Sequence, residues 1–205
     1  MFVTLEGGEG AGKSTSRDFI VSLLEAYNIP FIQTREPGGT SIGEALRELL
    51  LSKEGTAPSV TTEVLMVFAA RAQHLHEVIE PALREGKWVL CDRFTDATYA
   101  YQGYGRGFDL REIEALDTLV QRGRHPDLTL LFDIDPQLGM ARATQRAELD
   151  RFEEEELAFF ERVREGYLSR AEFDSRFKII DASRSIDDVQ DALQAILLPL
   201  LDGPS

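Results

Sequence analysis

Apolar residues alternate along this chain between two rhythms. Short apolar runs stand at Phe2-Val3-Thr4-Leu5, Phe31-Ile32-Gln33-Thr34, Trp88-Val89-Leu90-Cys91, Leu128-Thr129-Leu130-Leu131-Phe132 and Phe177-Lys178-Ile179-Ile180. Their length and bounding turns suit buried strands. Between them the apolar positions fall at helical spacing. Phe19, Ile20, Leu23, Leu24 and Tyr27 mark a helix over Ser14 to Tyr27, and another runs from about Ile42 to Leu51. A long helix capped by Thr61 or Thr62 carries Val64, Leu65, Val67 and Phe68 and ends near Glu85-Gly86. A helix-like stretch with Thr98, Tyr99, Tyr101 and Gln102 is broken by Gly103 to Gly107. Further helices are expected over Leu110 to Arg122, from Pro136 through Met140 and Ala141, from about Glu153 to Ser175, and after Ser185. Strands alternating with helices predict an α/β fold: a five-stranded parallel sheet with helices on both faces.

Ligands of such sheets bind at the carboxyl ends of the strands. The first strand runs into Gly7-Gly8-Glu9-Gly10-Ala11-Gly12-Lys13-Ser14-Thr15. This fits the phosphate-binding P-loop in its required context of strand, loop and helix. Backbone N–H groups and the helix N-terminus favour an anion there. Lys13 supplies a point charge for the β- and γ-phosphates, and the Ser14 hydroxyl is the expected Mg²⁺ ligand. The other strand ends hold Arg35-Glu36, Asp92-Arg93, Asp133-Asp135 and Asp181.

Length and charge narrow the classes. The 205 residues suffice for one domain. A formal net charge of −14 argues against nucleic acid or an anionic membrane as partner. Cys91 is the only cysteine, so no internal disulfide or thiolate metal site is expected. With no leader-like segment and no apolar run of spanning length, the expected location is cytoplasmic.

A P-loop accounts for the binding of a nucleoside triphosphate but not for the fate of its phosphates. Arg35 and Arg93, at neighbouring strand ends, suit a second, acceptor phosphate, because guanidinium groups bind phosphate through paired N–H bonds. Arg142, Arg146 and Arg151 fall in a short polar segment between two helices, about 142–152, where a water-excluding lid would sit and an arginine could stabilise the transferring phosphoryl group. No Asn-Lys-x-Asp tetrad of the GTPase kind is present, and no histidine, cysteine or serine stands in a nucleophile constellation. A monophosphate acceptor needs no general base, since its second pKa is about 6. The site thus reads as positioning plus electrostatics. His74, His76 and His125 lack partners at metal-ligand spacing. Glu153 to Glu156 read as a solvated first turn. Cys91 reads as a buried strand thiol that could report access to the site.

These motifs, with Thr34-Arg35-Glu36-Pro37-Gly38-Gly39-Thr40, Phe68-Ala69-Ala70-Arg71, Cys91-Asp92-Arg93-Phe94, Tyr101-Gln102-Gly103 and Glu148-Leu149-Asp150-Arg151, give a chain that resembles the bacterial thymidylate kinases over nearly its whole length. The resemblance implies transfer of phosphate from ATP, with Mg²⁺, to thymidine monophosphate, in a homodimer. It implies that Lys13 and Ser14 hold ATP phosphates and Mg²⁺, that Asp92 orders Mg²⁺ through water, and that Glu9 accepts from the acceptor's 3′-hydroxyl. Arg35 and Arg93 would clamp the acceptor phosphate, with Arg47 nearby. Arg71, Thr98 and Gln102 would read the thymine edge, and Tyr101 would crowd a ribose 2′-hydroxyl. Gly10 stands where one type of family P-loop has an arginine, which directs the transition-state role to Arg142, Arg146 and Arg151. Val67 stands where the family usually stacks a phenylalanine on the base. Either Phe68 takes over by a small helix rotation, or the base packs on an aliphatic face. Two other readings remain: an ATP-dependent regulatory module, or a kinase for another small acceptor, such as a deoxynucleoside, with Glu9 or Glu36 as base.

Overall fold

The computed structural model describes residues 1–144, 151–152 and 155–201. Five parallel strands form one sheet in the order β2-β3-β1-β4-β5, with β1 Phe2–Gly7, β2 Phe31–Arg35, β3 Trp88–Asp92, β4 Leu128–Asp133 and β5 Phe177–Asp181. The expected α/β architecture is therefore the observed one. The strand order places β1 at the centre and its neighbours β3 and β4 on either side. A ligand crevice opens where successive connections diverge to opposite sides of β1.

Strand side chains alternate between faces. Val3, Leu5, Leu130 and Phe132 pack with Ile20 and Leu24 of α1 (Lys13–Ala26) and Leu193 and Leu197 of α9 (Ile186–Leu201). Each such burial contributes about 1.5–3 kcal/mol. The opposite face mixes apolar and polar positions. Phe2, Val89 and Cys91 pack on Leu75 and Ile79, and Leu131 packs against Phe160, Val163 and Tyr167 of α8 (Leu157–Phe173). Thr4, Glu6 and Thr129 on that face are fully buried. Each polar group must then find a partner. The Thr4 and Thr129 hydroxyls lie 2.9 Å apart, and Thr129 also accepts from Arg176 Nη1 at 2.5 Å. Buried Asp96, in α5 (Thr95–Thr98), accepts from Arg176 and from Arg170 of α8. These ion pairs fix α8 over the sheet.

The remaining helices are α2 (Ser41–Leu51), α3 (Val60–His74), α4 (Glu80–Arg84), α6 (Leu110–Gln121) and α7 (Pro136–Ala143). Three local expectations are corrected. The cap of α3 is Ser59, whose side chain accepts from Thr62 N–H, and the long helix passes through a π-helical turn, Leu75–Ile79, before α4. The helical stretch after β3 does not break at Gly103 but continues as a π-helical segment, Tyr99–Gly105. Its glycines serve contact rather than reversal: a Cβ on Gly105 would lie 2.6 Å from the Phe159 ring of α8. Helix α8 begins at Leu157, and Glu155 pairs with Arg106 at 2.6 Å instead of standing in a solvated first turn. Glu153 and Glu154 lie outside the described residues, as do residues 145–150 of the expected lid. No helix among the described residues is long and apolar enough to cross a membrane.

Candidate active site

The carboxyl end of the sheet opens into a cavity of about 340 Å³. One wall is the P-loop from Glu9 to Ser14; the others carry Glu36, Arg47, Val67, Arg71, Asp92, Arg93, Thr98, Tyr101, Gln102 and Phe152. Most of the expected site residues therefore meet in one place.

On the donor wall, the loop leaves β1 and enters α1 through Gly12, in the left-handed conformation. Lys13 Nζ donates to the Gly7 and Gly8 carbonyls, both at 2.9 Å. Burial and the positive Arg93 lower its pKa against the pull of Glu9 and Asp92. Ser14 and Thr15 stand exposed on the first turn of α1. Gly10 has φ of 69°, and a Cβ there would sit 2.0 Å from the Gly139 carbonyl oxygen of α7. Backbone contact with α7 thus explains why this loop has glycine in place of an arginine.

At the junction of the walls stands Arg93. Its Nη2 donates to Glu9 Oε1 at 2.5 Å, its Nη1 to the Tyr167 hydroxyl at 3.3 Å, and its Cζ lies 4.7 Å from the Tyr101 ring centroid. Tyr101 also donates to Glu9 Oε1 at 2.8 Å. Burial works to raise the Glu9 carboxyl, but Arg93, Lys13 and Tyr101 outweigh it and the net shift is downward. Glu9 is thereby held as a carboxylate. Burial works to lower the Arg93 pKa, yet Tyr101, Glu9, Tyr167 and Asp92 raise it well above the ordinary value.

The far wall carries a buried polar network. Arg71 is 1 % exposed. Its Nε donates to Glu36 Oε2 at 2.7 Å and its Nη2 to Thr98 Oγ1 at 3.0 Å, while Nη1 is buried without a hydrogen-bond partner among the described residues. Arg71 is one of the residues that line the cavity, and an unpaired buried donor on it suits a ligand carbonyl. His74 braces the pair, with Nδ1 at 2.9 Å from Glu36 Oε1 and Nε2 at 2.5 Å from Thr34 Oγ1. Gln102 donates to Glu63 Oε2 at 3.4 Å. Glu63 also takes Arg151 Nη1 at 2.7 Å and lies 3.5 Å from Arg106 Nε. The Val67 alternative resolves toward the aliphatic face. Val67 lines the cavity, whereas Phe68 packs with Val64, Tyr99 and Ile113 behind Arg71, its ring 4.9 Å from the guanidinium.

Several assignments change. Arg35 is not on the cavity wall: at the end of edge strand β2 it is half exposed and paired to Glu44 of α2 at 2.7 Å. Phe68 is not a wall residue either, because α3 turns it into the core. Arg142, at the end of α7, donates to the Ala182 and Ser183 carbonyls after β5, at 2.8 and 3.3 Å, and so is held away from the acceptor wall. Arg151 is pinned to Glu63 and to the Leu50 carbonyl. Arg146 lies outside the described residues. Cys91 is completely buried, and burial pushes its thiol well up, so it reports nothing about access. Glu63, His74, Arg106 and Tyr167 were missed. Only His74 carried a signal, its i,i+3 spacing from Arg71 on one helix face.

A model of a family described as "Thymidylate kinase" matches residues 5–193. The chain belongs to the thymidylate kinase family. Curated members named "Thymidylate kinase" are similar along their full length. That of Pseudomonas syringae pathovar tomato is 54 % identical over 203 residues, covering 98 % of this chain and 97 % of its own. That of Teredinibacter turnerae is 55 % identical over 201 residues, covering 96 % and 98 %, and one of Pseudomonas putida is 53 % identical over 198 residues, covering 96 % and 94 %.

Proposed function

We propose that this chain is a kinase that moves the γ-phosphoryl group of ATP to thymidine monophosphate within the cavity at the carboxyl end of the sheet, as one domain spanning residues 1–205. The carrying observation is the shared cavity: Lys13 and Arg93 at one end, Arg71, Thr98 and Gln102 at the other. The acceptor's phosphate lies against Arg93 and Arg47, and its base reaches Arg71 Nη1. Glu9, kept ionised, accepts from the sugar 3′-hydroxyl, and the Tyr101 ring fills the space a 2′-hydroxyl would need. No general base is required, because the acceptor phosphate is already ionised near neutral pH. The chain contributes orientation and positive charge.

The donor set fits a magnesium ion: Asp92 Oδ1 is buried without a hydrogen-bond partner among the described residues, and the Ser14 hydroxyl is exposed beside the loop. Ser14 and Asp92 would hold it, and bound Mg²⁺ would neutralise phosphate charge. The covering role over the phosphates stays with the segment about 142–152, whose described arginines are Arg142 and Arg151. A cytoplasmic homodimer that binds neither nucleic acid nor membrane completes the reading, in keeping with the net charge of −14.

The test is ADP release from Mg-ATP with thymidine monophosphate, deoxyuridine monophosphate, thymidine or no acceptor. Release with thymidine monophosphate, weaker with deoxyuridine monophosphate and absent without an acceptor, is expected. Equal release without an acceptor would replace the kinase reading by an ATPase one.

A further inference from the structure

Glu6 is the last acidic residue of β1 before the loop glycines, and it is completely buried. A buried carboxyl is costly unless its oxygens are used. Both are. Oε1 accepts from the Phe94 backbone N–H at 2.7 Å, and Oε2 accepts from the Tyr167 hydroxyl at 2.9 Å. The same Tyr167 oxygen accepts from Arg93 Nη1 at 3.3 Å. Glu6 therefore grips Arg93 from two directions: through the peptide that follows it, and through a tyrosine that touches its guanidinium.

Arg93 needs such a grip. Its φ is +66°, a left-handed conformation that a non-glycine residue holds only when its surroundings over-determine it. The backbone around it is tied on both sides, by Arg93 N–H to the Leu5 carbonyl at 2.9 Å and by Phe94 N–H to Glu6. Turning the chain this way lets the strand-end arginine reach Glu9 rather than continue along β3. The side chain then has Glu9 on one nitrogen and Tyr167 on the other.

We propose that Glu6 and Tyr167 are positioning residues for Arg93, forming a buried carboxylate–hydroxyl–guanidinium relay that aims it at the acceptor's phosphate. This rests on the reading of Arg93 as the phosphate-binding arginine. Once ionised, Glu6 serves both partners, since a carboxylate accepts on its two oxygens, whereas an amide in its place turns one contact from acceptor to donor. The Tyr167 hydroxyl donates to Glu6 and accepts from Arg93 through one oxygen, which a phenylalanine in its place cannot do.

The test compares affinities of the full chain for thymidine monophosphate and for thymidine, by calorimetry at about pH 8.5, on the ionised side of the Glu6 titration. Their ratio isolates the phosphate contribution. Tyr167→Phe is expected to lower the ratio about tenfold, the worth of one hydrogen bond to a charged group, while leaving thymidine and ATP affinity unchanged. Glu6→Gln should lower it in the same direction, and combining the two changes should cost less than the sum, because they break one chain of contacts. Equal losses for thymidine and its monophosphate would mean a merely structural role and overturn the proposal, as would an unchanged ratio. Arg93→Ala runs alongside. If it collapses the ratio and the other variants do not, the relay fails alone. If it too leaves the ratio intact, the phosphate-binding reading of Arg93 falls, and the relay with it.

Discussion

The two walls of the cavity are built on different principles. The donor wall is largely backbone: a loop whose shape follows from glycines and whose lysine bonds to carbonyls five and six residues away. The acceptor wall is built mainly of side chains, and its contacts span the chain. Arg71 meets partners 35 and 27 residues distant, and Glu63 meets partners 39 and 88 residues distant. A backbone wall recognises what all nucleoside triphosphates share. A wall of buried, mutually braced side chains can discriminate among acceptors, since an imperfect ligand leaves buried polar groups unpaired. It also carries more buried charge and is the wall where one substitution does most damage.

Glu36→Gln tests that contrast hardest. Glu36 is the anion that balances Arg71, and it also takes His74. Breaking a buried ion pair while its partner stays in place costs about 3 kcal/mol. For a chain of this length that is a fall of about 6–12 °C in the melting temperature. Thymidine affinity should fall with it, and ATP affinity should hold. Differential scanning fluorimetry and calorimetry check the two halves. A melting temperature within a degree of the parent, or an equal loss of ATP affinity, would mean that the walls are not independent.

Glu6 stands beneath both walls, and its response to pH sets a second test. Burial first, then the nearby Asp96, raises its pKa from 4.5 to about 7, against the opposing pull of Arg93, Tyr167 and the Phe94 N–H. The folded state thus holds this proton more tightly than the unfolded chain. Its contribution to stability is fully present below the unfolded value and is lost as pH rises through about 7. Replacing Glu6 by Gln removes the titration. The parent should therefore lose roughly 3 kcal/mol relative to Glu6→Gln as the buffer is taken from acid to alkaline across that window. Denaturant midpoints of both proteins across the range measure it. Parallel curves would show that Glu6 titrates alike in the folded and unfolded states.

The same contrast explains what could be read from residues alone. Strand, loop and first helix are encoded in consecutive positions, so motif and periodicity reached them. The strand-end pattern likewise reached the cavity position of Arg93, and the resemblance those of Arg71, Thr98, Tyr101 and Gln102. Arg35 misled because an arginine at a strand end follows the nearest carboxylate, and Glu44 is set by the start of α2 rather than by the strand. Gly103 and Gly105 misled because glycine marks close helix packing as well as chain reversal, and only the position of α8 distinguishes them. Arg106, Glu63 and Tyr167 carried no local mark. Their roles exist only once α3, α8 and the π-helical segment are brought together.

The smallest expected effect concerns Val67. It lines the cavity beside Arg71, and Phe68, the next residue, is committed to the core on the other side of that guanidinium. On the proposed reading, the base meets an aliphatic surface at Val67. An aromatic ring in offset contact with the base adds about 0.5–1.5 kcal/mol beyond area burial. Part of that gain is offset by packing the larger side chain beside Leu50 and Tyr101, neighbours of Val67 in the same core cluster. Val67→Phe should bind thymidine about threefold more tightly, with ATP affinity unchanged. Calorimetry with thymidine, rather than its monophosphate, keeps Arg93 out of the comparison. A loss of thymidine affinity would mean that the wall is already filled to the shape of its ligand by Val67, and that its selectivity comes from close packing rather than from stacking.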